Sequence, residues 1–591
     1  MGSASRRELL LVGLLCLLPP LAAQLRLPPP RIDSDAVEYY SHLRSLYRDG
    51  DLDLANEFDH FGVLTRADKA QPTRTGMRRS IYAIGPSLLW MPFYAAGDVV
   101  ARALGREEDG YSAPHIRAVC LGSLVYGVAG LLLLFSVLRE LVPRGAAVVS
   151  TLLVLYGTFL LWYLVYEPLM SHAASFFMAA LVLRVWWSGR DGLSLRRAAA
   201  LGFLIGLAAC VRWQNAVLLS LPAATLVREL ARRPAPALRG GALTLAAFAA
   251  GAFPQLLAWK TLFGEYLLAE PPQGRDFLRL DHPFLLETFF SSRHGLLFWT
   301  PLLWAGFLGY VGLARRRPFT ALATGLPLLV MSYVNACSGD WWAGGSFSNR
   351  RFDSVLPLLA LGLAVSVEAL RGLLARRPGL PIVLAALLLT LWNGLFMEQY
   401  RRNLIPRDDV VSFARVTENT AGLVTDLVGT PLAWPANWIF AARHKAPLAS
   451  HDVASGKYLF YKMNNLGGVI DLGDPRVDPA LLLEGWARVR PCDGASCRGL
   501  DGKARLLFPL DVPEELDLLV RASGGRPLRV SVNGRPLAEL PLADSLVERR
   551  ARIPIAFLRR EHNELSLDSD ASDVLIDRVA FQRLPRAERA P

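Results

Sequence analysis

The stretch "IGPSLLWMPFYAAGDVVARALG" (residues 84–105) is mostly apolar and about as long as a bilayer crossing. Whether it crosses decides the topology of the whole chain. The other apolar runs read as candidate spans at about 8–25, 115–138, 146–166, 169–188, 197–212, 214–231, 241–260, 294–313, 318–336, 353–373 and 380–398. If 84–105 stays on one side, the joints assigned to the cytoplasm receive Arg139 and Arg144, then Arg190, Arg196 and Arg197, then Arg232, Arg233 and Arg239. The last two receive Arg315, Arg316 and Arg317, and then Arg376 and Arg377. Every such joint is basic, as the positive-inside rule requires. The segment 84–105 is therefore read as a juxtamembrane or re-entrant helix on the outer face. The chain then crosses about eleven times and its C-terminal region lies outside.

Composition agrees. The chain has 591 residues, of which 52% are hydrophobic, and a mean hydropathy of +0.29, which exceeds the apolar share of ordinary soluble domains. The formal net charge of +12 raises nucleic acid as a partner, but arginine clusters between apolar runs are what cytoplasmic joints look like, and no nucleic-acid partner is expected. The first run starts after Arg6 and Arg7 and ends near "PLAAQ". A cleaved signal peptide is the alternative there, and either reading leaves the segment after residue 25 outside.

From about residue 455 the pattern changes to short alternating runs between Gly, Pro and Asp. "ARLLFPL", "LDLLVRA", "LRVSVNGRPLAEL", "VERRARI", "NELSL" and "VLIDRVAF" read as strands, with Asn533-Gly534 as a hairpin turn. A small antiparallel β-sandwich is expected, with Trp486 either in its core or on a sugar-binding face. Cys492 and Cys497 flank a polar tetrapeptide and close a small disulfide loop if that region is in an oxidising compartment. The other four cysteines lie in or beside apolar runs. The expected organisation is a first span over 1–25, an outer loop with juxtamembrane helices over 26–110, a multi-span region over 111–400, a linker over 401–454 and the sandwich over 455–591.

Sorted by face, the unusual polar residues gather outside. The first loop carries "RIDSDAVEYY" (31–40), with Asp33, Asp35, Glu38 and Tyr39, and later "RTGMRRS" with Arg78 and Arg79. "YEPLMSH" brings Glu167 and His172, and "RWQN" brings Arg212. A loop over 264–295 brings Arg293 and His294, and "SGDWWAGGSFSNRRF" brings Trp341, Trp342, Arg350 and Arg351. Charges at membrane depth are expensive and are functional candidates, although each of Glu167, His172 and Arg212 also reads as a residue reaching interfacial water. A transporter needs a pathway open to both faces and commonly repeated halves, and no such repeat is visible. One-sided clustering suits an enzyme whose lipid-linked substrate keeps its tail in the bilayer.

The carboxylates, guanidinium groups and aromatic rings in this set are the types that glycosyl transfer from a lipid phosphate needs. A carboxylate takes the acceptor's proton, and arginine forks neutralise the departing phosphate. Hydrolysis and phosphoryl transfer use the same types, so residue type alone does not name the reaction. Asp33, Asp35 and Glu38 are also hard oxygen ligands suited to Mg²⁺ or Mn²⁺.

The arrangement resembles the C-type (GT-C) superfamily of integral membrane glycosyltransferases, particularly the family 39 and aminoarabinose-transferase-like branch. The resemblance rests on "DSD" after the first span, on "SLYRDGDLDLANEF" (45–58), on "SRHGLLFWTP" (292–301) and on "WAGGSFSNRR" (342–351), over about residues 1–400. Many relatives have Glu-Pro directly after the second Asp, where this chain has Ala36-Val37 and a displaced Glu38. The resemblance implies a polyprenyl-phosphate sugar donor, an extracytoplasmic site and net inversion, with Asp35 as base and Asp33 as its partner or substitute. Charge and placement assign Arg78, Arg79, Arg212, Arg293, Arg350 and Arg351 to the donor phosphate. Glu38, Tyr39, Glu167, His172, His294, Trp341 and Trp342 are assigned to the rest of the substrate.

The acceptor expected is a lipid, glycan or protein at the outer face of a bacterial cytoplasmic membrane. The alternatives are a non-catalytic polysaccharide export or assembly component with a glycan-binding sandwich, and a transporter.

Overall fold

The computed structural model describes residues 4–65, 71–107, 109–268, 273–274, 277–373, 379–444, 448, 451–452, 458–460, 468–474, 477, 481–570 and 573–584. Arg376 and Arg377, expected in the last basic joint, lie outside the described residues. The chain divides into two compact units, Met1–Asn419 and Thr420–Pro591.

The first unit is helical. Among the described residues six helices are long and apolar enough to cross a membrane: Arg6–Arg26, Ala113–Leu141, Pro234–Phe263, Pro318–Ala336, Leu356–Leu373 and Leu380–Arg401. With six such helices the chain is a multi-pass membrane protein. Several other expected spans are shorter or interrupted. The run 146–166 is split into helices Arg144–Tyr156 and Leu160–Val165 by a turn at Gly157. The run 214–231 opens as a 3-10 turn, Trp213–Leu219, before helix Ser220–Leu230. The run 294–313 holds only the single turn Leu296–Trp299 before helix Leu303–Arg316. Pro301, between those two, has no N–H to continue the first helix. The stretch 84–105 forms helix Gly85–Ala103.

Helix Arg6–Arg26 starts in a capping box: the Ser5 hydroxyl accepts from the Glu8 N–H while the Ser5 N–H donates to the Glu8 carboxylate. Glu8 also meets Arg139 at 3.5 Å and Arg144 at 3.2 Å, so the start of the chain is tied to the first basic joint. Helices Leu303–Arg316 and Leu356–Leu373 touch backbone to backbone, since a Cβ on Gly309 would lie 1.8 Å from the Gly362 carbonyl oxygen. Small residues that let backbones approach are the usual adhesive between helices in lipid.

Among the described residues the second unit contains ten strands: β1 (Val469–Asp471), β2 (Trp486–Cys492), β3 (Ala495–Leu500), β4 (Ala504–Leu507), β5 (Leu516–Ser523), β6 (Leu528–Val532), β7 (Arg535–Leu540), β8 (Val547–Ile553), β9 (Glu564–Asp568) and β10 (Leu575–Arg583). They form two antiparallel sheets, one ordered β2-β3-β10-β5-β8 with β1 also on β10, the other β4-β9-β6-β7. Alternate residues of both sheets, including Leu518, Val520, Val530, Leu565, Leu567 and Val579, share one core in which Phe508 stacks on Phe581 at 4.5 Å.

Asn533 and Gly534 both have positive φ (53° and 78°), the geometry of a two-residue hairpin turn between β6 and β7. The same geometry recurs at Asp493-Gly494 (40° and 75°), which joins β2 to β3, and the disulfide Cys492 to Cys497 links those two strands. Trp486 packs against the core and donates from its indole to the Arg505 carbonyl at 2.7 Å.

Candidate functional site

The site is built at the start of helix Asp35–Arg44. Ser34 adopts φ 52° and ψ −132°, a positive-φ conformation uncommon outside glycine, and the chain turns there so that Asp35 becomes the first helical residue. A carboxylate at a helix N-terminus is favoured by the helix dipole. One turn on, Tyr39 lies on the same face, and its hydroxyl donates to the Ser171 hydroxyl at 3.0 Å.

Three further segments close around Asp35. Residues 80–84 are held by Glu38, whose buried carboxylate accepts from the Ser80 hydroxyl (2.7 Å) and the Ile81 N–H (2.9 Å). They are pressed against the end of helix Leu195–Val211, where Gly85 leaves no room for a side chain: a Cβ would sit 2.4 Å from the Cys210 carbonyl. The helix ends there and Arg212 leaves it extended. The loop 338–353 folds back through left-handed positions at Ala343, Gly344 and Ser348. It is pinned by Asn349 donating to the Trp341 carbonyl (3.0 Å), and by Arg351, which donates to the Asp340 carbonyl (2.8 Å) and to its carboxylate.

The result is a cavity of about 140 Å³ lined by Asp35, Tyr39, Ile81, Tyr82, Ala83, Val211, Arg212, Trp213, Gln214, Gln273, Phe277, Asp340, Arg350 and Arg351. Arg350 Nη2 lies 2.8 Å from Asp35 Oδ2, and Arg350 Nε donates to the Ala343 carbonyl at 3.2 Å. Burial pushes the Asp35 carboxyl up, but Arg350, a hydrogen bond from Tyr82, His172 and Arg212 together hold it below the ordinary aspartate value. Burial opposes the charge on Arg350, and Asp35, Tyr163, Tyr82 and Glu167 together more than offset it.

Of the residues singled out in the sequence, Asp35, Tyr39, Arg212, Arg350 and Arg351 line this cavity. Asp33 is exposed and does not line it. Glu38 faces Ser80 and Ile81. His172 is buried behind the wall, its Nδ1 2.7 Å from Asp353 Oδ2. Arg78 and Arg79 are half-buried in the 72–80 loop and do not line the cavity.

Arg293 stacks over Trp342 at 3.8 Å and pairs with Asp408 at 3.1 Å, and Trp341 packs edge-on to Trp342. His294 is fully buried against Trp299. Glu167 lies 3.9 Å from Arg407, and burial pushes its carboxyl up despite Arg350 and Arg407 nearby.

Sequence reasoning did not select Asp353, Tyr82, Gln273, Trp213, Gln214, Phe277 or Asp340. Asp353 lies two positions after Arg351, and Trp213 and Gln214 come directly after Arg212, so the polar segments around those arginines already contained part of the signal.

A divalent cation does not fit the acidic trio. Asp35 is paired with Arg350, Glu38 turns toward the 80–81 backbone and Asp33 faces solvent. Among the described residues no three His, Cys, Asp or Glu side chains converge.

No protein-family model matches the sequence, and no curated protein matches it. In structure the chain is similar to several solved proteins, each at low identity. ArnT from Cupriavidus metallidurans, crystallised with undecaprenyl phosphate, matches at 16% identity over 74% of this chain and 72% of that one, with a TM-score of 0.42. The Archaeoglobus fulgidus oligosaccharyltransferase, in complex with Zn and sulfate, matches at 15% identity over 69% and 58%, with a TM-score of 0.37. The arabinosyltransferase EmbB from Mycobacterium smegmatis matches at 11% identity over 98% and 64%, with a TM-score of 0.37.

Proposed function

We propose that the protein is a glycosyltransferase that moves a sugar from a polyprenyl phosphate to an acceptor hydroxyl, with inversion, and that Asp35 is the general base. The observation that carries this reading is Asp35, 2.8 Å from Arg350, opening into a cavity that also receives Arg212 and Arg351. A carboxylate beside a cluster of guanidinium groups supplies both functions that the reaction needs, a proton acceptor and neutralisation of a departing phosphate. Gln214, Gln273 and Asp340 present hydroxyl-binding groups, and Trp213 and Phe277 present apolar faces for a sugar ring.

In the step itself, the acceptor oxygen forms its bond to the anomeric carbon as its proton passes to Asp35. The bond from that carbon to the phosphate oxygen breaks on the opposite face, and its electron pair leaves on the phosphate. One base suffices and no covalent sugar intermediate forms.

The basic joints support an outward-facing site in a bacterial cytoplasmic membrane and about eleven crossings, in which the shorter apolar helices also span. The acceptor is a lipid, glycan or protein at that face. Purified protein is incubated with a panel of polyprenyl-phosphate sugars, and release of the lipid phosphate is monitored by mass spectrometry. Release from at least one donor supports the reading, and release from none across pentose and hexose donors removes it.

A further inference from the structure

Among the described residues three arginines reach the cavity, but they do not stand in the same relation to it. Arg350 is engaged by Asp35, and Arg351 by Asp340, and both of those carboxylates themselves line the cavity. A phosphate that approaches either arginine meets a carboxylate in the same space. Arg212 also acts on the Asp35 carboxyl, but the groups it bonds directly lie behind it. Its Nε is 3.6 Å from Asp353 Oδ2 and its Nη1 donates to the Ser171 hydroxyl at 3.0 Å. Ser171 and Asp353 are essentially fully buried and neither lines the cavity.

Asp353 is itself held from several sides. His172 Nδ1 is 2.7 Å from its Oδ2, while its Oδ1 accepts from the Ser175 hydroxyl (3.1 Å) and the Ser354 N–H (2.6 Å). Asn215 in turn donates to Ser175 at 3.1 Å. A buried carboxylate with this many donors is a rigid anchor, and a rigid anchor fixes the orientation of the cation it faces.

We infer that Asp353 is a positioning residue that presents Arg212 to the cavity, and that Arg212 is the cation that receives the donor phosphate. Arg350 instead holds the base and Arg351 holds the 338–353 loop. The inference rests on the proposed transfer from a lipid phosphate and assigns its phosphate position. His172 then acts from behind the wall, through Asp353, and does not touch substrate.

The test is binding of a short-chain polyprenyl phosphate to the purified full-length protein, compared with the polyprenol of the same length. The difference between the two ligands isolates the phosphate. Arg212→Gln and Asp353→Asn are each expected to weaken the phosphate ligand about tenfold while leaving the polyprenol unchanged, the scale of one hydrogen bond to a charged group. The double variant is expected to bind no worse than Arg212→Gln alone, because Asp353 acts through Arg212.

Ser171→Ala removes the Nη1 contact together with the acceptor of the Tyr39 hydroxyl, leaves the Asp353 pair in place, and is expected to give a smaller, phosphate-selective loss. It stands in for Asp353→Asn if that variant fails to insert. Additive losses, equal losses for both ligands, or a phosphate increment that survives Arg212→Gln but disappears in Arg351→Gln each overturn the inference. A wild type that shows the coupling but releases phosphate from no sugar donor removes the transfer reading and leaves this inference standing. A wild type that does not distinguish phosphate from alcohol removes both.

Discussion

Arg350 Nη2 and Asp35 Oδ2 are 2.8 Å apart at the edge of one cavity, with side chains 13% and 14% exposed. The pair is shielded enough to be strong and open enough to meet a substrate. Its partners hold the Asp35 carboxyl below the ordinary aspartate value of 3.8. The attraction is therefore fully present above 3.8 and is lost as pH falls through the lower folded value. Arg350→Gln removes the opposing charge and leaves burial, which pushes the carboxyl up. The acid limb of the rate profile for sugar transfer should then move to higher pH than in the wild type, and a limb that does not move separates Asp35 from the proton transfer.

Gly85 lets the 80–84 segment lie against Cys210, which brings Tyr82 and Arg212 to one cavity. Gly85→Ala forces these segments apart. Transfer is expected to fall roughly a hundredfold, the cost of misplacing reacting groups by about 1 Å, while the protein still inserts. Unchanged turnover in a normally inserted variant contradicts this role.

The disulfide from Cys492 to Cys497 joins β2 to β3 across a short hairpin. Replacing both cysteines by serine should cost about 2 kcal/mol locally. Hydrogen exchange of the β2 and β3 amides should accelerate while that of β5 and β10 changes less.

Phe581 is 2% exposed and stacks on Phe508 at 4.5 Å in the core between the sheets. Phe581→Ala is expected to destabilise the second unit by about 3–5 kcal/mol, read from limited proteolysis or exchange of that unit. The same loss is not expected for Arg578→Ala on the same strand, whose side chain is 45% exposed and pairs with Glu548.

Periodicity carried the parts of the fold that depend on local pattern. Helix Pro318–Ala336 and strands such as Val547–Ile553 fall where the apolar runs place them. Hydropathy windows do not register breaks within an apolar run, so the turns at Gly157 and Pro301 were invisible to them. Strands β1, β2 and β3 fall outside the expected runs, although Asp493-Gly494 is a turn signal of the same kind as Asn533-Gly534.

At the site, charge in a polar loop marked Asp35, Arg212, Arg350 and Arg351. Sequence spacing did not reveal Asp353, whose importance comes from the elements it joins: His172 and Ser175 on one helix and Arg212 at the end of another. Nor did it separate residues that line the cavity from those one layer behind, because Glu38 and His172 have the same chemistry as the lining groups and differ only in direction.

In the proposed reaction Asp35 removes the acceptor's proton. With a polyprenyl-phosphate donor that the wild type uses, Asp35→Asn keeps the shape of the side chain and abolishes its basicity. Single-turnover transfer is expected to fall by at least roughly a hundredfold while the variant inserts normally and still binds the polyprenyl phosphate. Wild-type transfer by that variant would contradict it.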